Sequence, residues 1–333
     1  MSASQKRNGL IAGLTLVALV AMVAAYFAPI WWVSLTAPNY PEDAFPDGIR
    51  IHFHFDGVKN GCSTPPKTSR LAEETMAEDM GEGTGRYNPI LAEQTTLSGK
   101  ATALDCVHEM NTINHYVGMY PIATGGPVET KLSKFFIAFF AVMLLSFAVR
   151  DRRLRLGIMG VGFGALAAWM LIDQFAMGRL AAHVQHYMDE SATFFNDPER
   201  IAAWGGNVEL ISKIAIFGMI AAMLVVILGV LRFRSFELLL ALVPGLLPLF
   251  YLIEYSAWLW FFGHNLHPWG AFTVKPFMPT VFGEGKVAQF STFSYPHWGY
   301  GLLMLVFVCL MLAMLLRRKQ LREEQALASA RQG

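Results

Sequence analysis

Long apolar runs separated by short polar stretches dominate this chain. A helix needs about 20 apolar residues to cross a bilayer, and six runs approach or exceed that length. The fifth run contains Pro244 and Pro248, which predict a kink, because proline interrupts the hydrogen bonds of a helix. The pattern predicts six spans, at residues 9–33, 133–149, 156–178, 207–231, 236–262 and 298–316.

Basic residues between the runs give the predicted orientation. Lys6 and Arg7 precede the first run, and "RDRRLR" (150–155), "RFR" (232–234) and "RRKQLR" (317–322) follow the second, fourth and sixth. All four clusters fall on one side, which the positive-inside rule makes cytoplasmic. We therefore expect a multi-pass protein of the bacterial inner membrane with both termini in the cytoplasm.

The first apolar run is interpreted as an uncleaved anchor. It is much longer than the apolar core of a signal peptide, which has about 7–15 residues, and no small-residue cleavage motif follows it. A cleaved signal peptide is the alternative. Trp31 and Trp32 are expected in the outer aromatic belt.

Three segments are predicted outside, at residues 34–132, 179–206 and 263–297. In the first, "IRIHFHFDG" (49–57) reads as a strand leading into a turn, and 68–80 as an acidic helix. The predicted fold is an α-helical integral membrane protein, a six-helix transmembrane bundle with a small mixed α+β periplasmic domain. Its parts are an anchor helix (1–33), the periplasmic domain (34–132), a five-helix membrane region (133–316) and a basic cytoplasmic tail (317–333).

Composition agrees with a membrane location. Of the 333 residues, 54% are hydrophobic and only 15% are charged, which is atypical of soluble proteins. The net charge of +1, with the basic residues explained by topology, argues against a nucleic-acid partner and leaves membrane lipid as an expected one. The chain has no Walker motif, so no ATPase activity is expected of it.

Histidines are the first candidate chemistry. His52 and His54 would share one face of a strand, and "HVQH" and "HNLH" place two further pairs close together. Imidazole is the commonest ligand for zinc and copper, but a stable site needs about three or four ligands, so pairs must meet. Solvated polar residues are the alternative interpretation. The nine candidates are all outside or at the outer boundary: His52, His54, His108, His115, His183, His186, His264, His267 and His297.

The stretch "DCVHEMNTINHYVGMYP" (105–121) is the richest in potential ligands. Thiolate, imidazole and thioether together suit copper, and on a helix His115 and Met119 would share a face. Haem is an alternative, although no C-x-x-C-H motif exists. A disulfide with Cys62 would remove Cys106 as a ligand, and simple packing is the remaining alternative. Candidate ligands here are Cys106, His108, Met110, His115 and Met119, and Met76 and Met80 add a possible thioether pair.

Three charges fall within predicted spans, at Asp173, Lys213 and Glu254. All three lie about one to two turns from the outer end of their helices. Because an unpaired charge in a membrane is costly, we expect them to pair with one another. They form either the floor of an ion or proton pathway or a structural clamp.

The last outer loop is rich in aromatic residues, which favours a lid lying over the membrane surface. His297, at the start of the sixth span, is expected to face His264 and His267.

"HFHFDGV", "INHYVGMYP" and "PFMP…FSYPHWGYG" resemble a family of polytopic bacterial membrane proteins associated with accessory genes for periplasmic copper enzymes, nitrous oxide reductase in particular. The resemblance covers most of the chain. It implies a copper-related accessory role, with a periplasmic metalloenzyme or other membrane subunits as partners, and it supplies no ligand set.

The leading hypothesis is a membrane-anchored protein that handles a metal, copper by preference, at the periplasmic face. It includes a composite site formed by His52 and His54 with the cluster at 106–119. One alternative is a redox enzyme subunit with a periplasmic haem or metal centre linked to quinol. Another is a transporter permease, although permeases place polar or broken segments at the bilayer midplane.

Overall fold

The computed structural model describes residues 3–38, 40, 45–62, 105–121, 125–271, 274–287 and 289–330. Its architecture is a helical bundle with a small antiparallel sheet at one end. In chain order the elements are α1 (Ala3–Phe27), β1 (Trp31–Thr36), β2 (Ile49–His54), β3 (Gly57–Asn60), α2 (Cys106–Tyr116), α3 (Glu129–Ala148), α4 (Arg152–Leu171), α5 (Arg179–Phe194), α6 (Pro198–Arg232), α7 (Leu239–Gly245), α8 (Leu247–His264), β4 (Gly283–Val287), β5 (Phe290–Pro296) and α9 (Trp298–Ala330).

Five helices of the described chain are long and apolar enough to cross a membrane, namely α1, α3, α4 with its π-helical extension Ile172–Ala176, α6 and α9. The helices α7 and α8 make a sixth candidate if they count as one span bent by 51°. The bend lies between Pro244 and Pro248, and Pro248 sits in the first turn of α8, where the missing N–H costs no helical bond. The predicted kink is confirmed.

Local signals start and stop several of the helices. Asp105, Asp151 and Asp197 each accept a hydrogen bond from a backbone N–H of the first turn, at the starts of α2, α4 and α6. At the end of α2, Gly118 adopts a left-handed conformation (φ +84°). The Gly118 and Met119 N–H groups then donate to the His115 and Asn114 carbonyls, which ends the helix.

All five strands form one antiparallel sheet with the order β3-β2-β1-β5-β4. The predicted strand at 49–54 is confirmed as β2. The sheet combines the segment after α1 with the segment before α9, since β1 pairs with both β2 and β5. Within the last outer loop, residues 283–296 form a hairpin that completes this sheet, and the aromatic lid over the membrane stays a prediction.

The buried Ser294 hydroxyl links two strands of the sheet to helix α8 of the bundle. Trp31 Nε1 donates to Ser294 Oγ at 2.9 Å, and Tyr255 Oη lies 3.3 Å from the same oxygen. Trp31 is almost completely buried, and Trp32 packs under the Arg50 guanidinium. Helix α1 ends at Phe27, so Trp31 and Trp32 are strand residues of the sheet. Trp31 is too buried to belong to a lipid-facing aromatic belt, and for Trp32 the belt stays a prediction.

The four basic clusters meet at the other end of the bundle. Arg7 pairs with Glu323 at 2.7 Å, and Arg150 and Arg234 both reach Glu324, at 2.7 and 3.7 Å. We call this the basic end and the end with β1–β5 the sheet end. The two ends differ in charge as the positive-inside pattern requires. The acidic helix predicted at 68–80, with Met76 and Met80, lies outside the described residues.

Candidate functional site

The sulfur ligands predicted for copper have other roles. Cys106 forms a disulfide with Cys62, so it offers no thiolate. Met110 and Met119 are buried in the apolar core and border a cavity of about 90 Å³ with apolar walls. Because α2 ends before Gly118, Met119 does not share a helical face with His115, and that expectation is wrong.

The composite site of His52 and His54 with α2 is not formed. Side chains alternate along β2, and Ile49, Ile51 and Phe53 face the apolar cluster that includes Met110 and Ile113 of α2. His52 and His54 therefore belong to the opposite face of the strand. The sheet itself separates them from the 106–119 cluster.

His267 is a structural residue in this arrangement. Its Nδ1 accepts a hydrogen bond from the Trp269 N–H, so Nε2 carries the proton and faces Asp197 Oδ2 at 3.2 Å. The ring stacks on Phe195 with centroids 4.4 Å apart, and Phe195 also contacts the His115 ring at 4.8 Å. Both nitrogens of His267 are engaged, which leaves no lone pair for a metal.

The histidines of α2, α5 and α8 form no group of three potential ligands with other His, Cys, Asp or Glu side chains of the described residues. His183 Nε2 donates to the Pro127 carbonyl at 2.5 Å, and His264 Nδ1 donates to the Trp260 carbonyl at 2.8 Å. His108 and His186 are exposed and lie near Glu190. Burial raises the pKa of Glu190, and the two imidazoles lower it by a smaller amount. The predicted pairs do not converge on a shared point.

One contact between two histidines was not predicted from the sequence. His297 faces His52, with ring centroids 5.1 Å apart, and does not face His264 or His267, so that expectation is wrong. Burial, with the neighbouring His297 and Arg50, lowers the pKa of His52 to about 4. Burial also lowers the pKa of His54 and of His297, so all three imidazoles are neutral at pH 7. In the described part of the chain, no three His, Cys, Asp or Glu side chains are arranged to hold a metal ion.

The predicted trio of membrane charges does not pair internally. Asp173, only 4% exposed, bonds Lys134 Nζ at 2.8 Å and Gln174, and lies 3.3 Å from Arg179. Lys213 pairs with Glu209 one turn away on the surface of α6. Asp173 and Lys213 each pair with residues on their own or an adjacent helix. Among the described residues, Glu254 has no ion-pair partner.

Glu254 lines a cavity with a volume of about 500 Å³. We call it the acidic cavity. Its walls come from α3, α8, two residues of α6 and the β2–β3 hairpin. Most of the lining is aromatic or aliphatic, and its ionisable side chains are Glu129, Glu254, His54, Tyr251 and Tyr255.

Glu129 is the residue that sequence reasoning missed. It lies four positions before the second apolar run and was assigned to an outer loop, but α3 begins at Glu129 and turns its side chain into the cavity. The signal in the sequence was the position of Glu129 one helical turn before the second apolar run, which indicates that it could belong to the same helix. Glu129 Oε2 accepts a hydrogen bond from Trp258 Nε1 at 2.9 Å, which holds it beside α8.

The two carboxyl groups of the acidic cavity interact electrostatically. No lysine or arginine in the described ranges forms an ion pair with either of them, and His54 is neutral. Two carboxylates in a low-dielectric site repel strongly, so both carry charge only when a cation lies with them. A bound proton or another cation would relieve this repulsion.

Comparisons with family models, with curated proteins and with solved structures gave no match for this chain.

Proposed function

We propose that the protein binds a small amphiphilic cation, taken from the outer half of the bacterial inner membrane, in exchange for a proton. The observation that carries the proposal is the acidic cavity, where Glu129 and Glu254 lie together without a cationic partner among the described residues. When the cavity has no ligand, a proton neutralises one of the two carboxylates. When a cation is bound, its charge compensates them instead. Binding and protonation are then competitive.

The cavity walls suit an organic cation better than a hydrated metal ion. Trp258, Tyr251 and Phe250 are among the aromatic residues that line the space. Aromatic faces attract cations whose charge is spread over an apolar body, and carboxylates supply the opposite charge. A volume of about 500 Å³ lies within the range of small-molecule sites, about 300–1,000 Å³.

Access from the lipid is supported by the exposed residues of the lining. Phe136, Phe250 and Ile211 are 37, 40 and 44% exposed, and each contributes to the cavity wall. Apolar side chains exposed on membrane helices contact acyl chains. An amphiphilic molecule in the bilayer therefore reaches Glu129 and Glu254 from the side.

Orientation supports placing the cavity in the outer half. The basic end carries the clustered arginines expected on the cytoplasmic side, and the sheet end carries the Cys62–Cys106 disulfide. Disulfides persist in oxidising compartments such as the periplasm. The acidic cavity adjoins the sheet end, since the β2–β3 hairpin forms part of its wall.

Binding of tetraphenylphosphonium to the detergent-purified protein tests the proposal. We expect its affinity to rise with pH, by at most about tenfold per pH unit, because one proton leaves for each cation bound. Glu254→Gln and Glu129→Gln should each weaken binding by roughly 30-fold, equivalent to about 2 kcal/mol for loss of a buried charge partner. Triphenylphosphine oxide, a neutral molecule of related shape, should bind weakly and independently of pH.

The matched control is Glu209→Gln, which removes an exposed glutamate paired with Lys213. It should leave cation affinity unchanged. Equal affinity for the neutral molecule, or unaltered binding by both cavity variants, would refute cation binding. Tight binding of a hydroquinone in place of the cation would instead favour the quinol-linked alternative, and pH-driven accumulation of the cation in proteoliposomes would extend the proposal to a permease.

Metal handling at the periplasmic face is the second candidate, favoured by the contact between His52 and His297. Both imidazoles are neutral at pH 7, as metal ligands must be, and His54 lies near enough to affect both electrostatically. A two-imidazole arrangement needs a further ligand from solvent or from a partner protein to complete a stable site. This incomplete site agrees with copper transfer to a periplasmic metalloenzyme, which the family resemblance implies.

Metal analysis and an absorption spectrum of protein expressed with and without copper test the second candidate. Near-stoichiometric copper that is lost in His52→Gln and in His297→Gln is expected, with His264→Gln as the control on an exposed histidine. A haem band would favour the redox alternative. Copper content unaffected by the first two variants would exclude this pair as the site.

A further inference from the structure

A second large cavity lies at the basic end, between the ends of α4, α6 and α9. Its volume is about 400 Å³, and we call it the basic cavity. Five arginines line it, namely Arg150, Arg152, Arg155, Arg234 and Arg317. Only two carboxylates, Glu237 and Glu324, lie among the lining residues, so the walls carry three positive charges in excess.

Arg155 forms the fixed part of this wall. It is 4% exposed, and its guanidinium pairs with Glu237 and donates to the Ser146 and Val149 carbonyls. These bonds join the end of α3, the start of α4 and the turn before α7. Arg155 and Glu237 therefore neutralise each other and shape the cavity, and the excess charge comes from the other arginines.

Arg317 supplies a buried donor that the protein leaves unused. The residue is 3% exposed and donates from Nη2 to the Phe147 carbonyl at 3.2 Å. Its Nε has no hydrogen-bond partner in the described part of the chain. A buried N–H without an acceptor costs about 1–3 kcal/mol, so the Arg317 guanidinium keeps unused hydrogen-bonding capacity at the cavity wall.

Arg150 and Arg234 lie at the mouth of the cavity and share one acceptor. Both contact Glu324, at 2.7 and 3.7 Å, and their side chains are 50 and 70% exposed. Exposed arginines rearrange at little cost, so both can turn toward an anion entering the cavity.

We infer that the basic cavity binds the phosphate group of an anionic phospholipid from the inner leaflet. Guanidinium groups match phosphate oxygens in bidentate geometry, and basic pockets between helices on the cytoplasmic side suit such headgroups. A lipid is favoured over a free phosphate because apolar residues lie beside the charged walls. Phe233 and Val230 border the cavity, and Phe233 is 59% exposed where an acyl chain would pass.

Thermal stability and binding in a neutral detergent test this inference, with short-chain phosphatidylglycerol, short-chain phosphatidylcholine and inorganic phosphate as separate probes. We expect phosphatidylglycerol to raise the Tm and to bind more weakly as salt increases. The double variant Arg150→Gln/Arg234→Gln should weaken its binding roughly 30-fold, about a factor of five for each arginine. Arg317→Gln tests the buried donor, but the surface double variant keeps the test independent of folding.

The control is Arg322→Gln, on the same helix as Arg317 but exposed and outside the cavity lining. It should leave binding of phosphatidylglycerol unchanged. An equal effect of phosphatidylcholine, or an unaltered affinity in the double variant, would overturn the inference. Inorganic phosphate that raises the Tm as much as the lipid would also overturn it, because the site would then recognise a soluble phosphate.

Discussion

Asp173 and Glu254 are carboxylates at a similar expected depth in neighbouring parts of the bundle, yet their surroundings differ. Around Asp173 the chain supplies Lys134, Arg179 and Gln174, and the Lys134 ammonium also lies over the Phe135 and Trp169 rings. Around Glu254 it supplies a second carboxyl group and an open space. The charge of Asp173 is compensated within the chain. Under the proposed function, the charge of Glu254 is compensated by a proton or a ligand.

The comparison shows how a buried charge reveals its role. A charge in a low-dielectric region must be compensated, and the free energy of the folded protein falls when the compensation is internal. Asp173 therefore contributes to stability as a clamp between helices. Under the proposed function, the charge of Glu254 is compensated by a proton or a ligand, so we expect Glu254 to contribute little to stability.

Breaking the Asp173 clamp should have the largest effect on stability. Asp173→Ala removes the acceptor of the Lys134 bond and leaves that ammonium partly buried without its carboxylate. We expect a loss of about 3 kcal/mol, the lower end of the range for breaking a buried pair, because Lys134 retains some exposure. Thermal unfolding in detergent measures it. Glu209→Ala breaks the exposed pair with Lys213 and should cost at most about 0.5 kcal/mol.

Glu254→Gln tests the other half of the comparison with the same measurement. The variant keeps the side-chain volume and removes the repulsion with Glu129, so the unfolding free energy should change by less than about 1 kcal/mol or increase slightly. A loss as large as that of Asp173→Ala would mean that Glu254 is also a clamp. In that case the distinction between the two regions fails, together with the cation site.

A smaller, pH-dependent effect extends the comparison to the sheet. The pKa of His52 is about 4 in the folded protein against the usual 6.5, so the unfolded chain binds more protons between these values. Stability is therefore complete above pH 6.5 and decreases as the pH falls toward 4. The decrease in Tm over this range should be smaller in His52→Gln than in the wild type, and His264→Gln should retain it. Identical profiles for His52→Gln and the wild type would show that His52 titrates normally.

Patterns within one segment were predictable. The six apolar runs match the five long helices and the bent pair, and the positions of Pro244 and Pro248 located the bend. The strand at 49–54 followed from alternation. The end of α2 could have been read from Gly118, since glycine often adopts the left-handed conformation that ends a helix. Overlooking it led to the wrong pairing of His115 with Met119.

Contacts between distant segments were not predictable in the same way. Asp173 and Lys134 are 39 positions apart, and His52 meets His297 only because β1 pairs with both β2 and β5. Nothing near His297 in the sequence indicates His52 as its neighbour. The acidic cavity likewise depends on Glu129 of α3 and Glu254 of α8 lying side by side.

The sequence by itself determined how many apolar spans the chain offers, where the basic clusters fall and which residues alternate on β2. These properties depend on the length and order of neighbouring side chains, which are present in the unfolded chain as well. Only the tertiary structure decided which charges are paired, which imidazoles meet and where cavities remain. Those outcomes depend on packing, since a charge takes the nearest opposite charge that folding brings within a few ångströms.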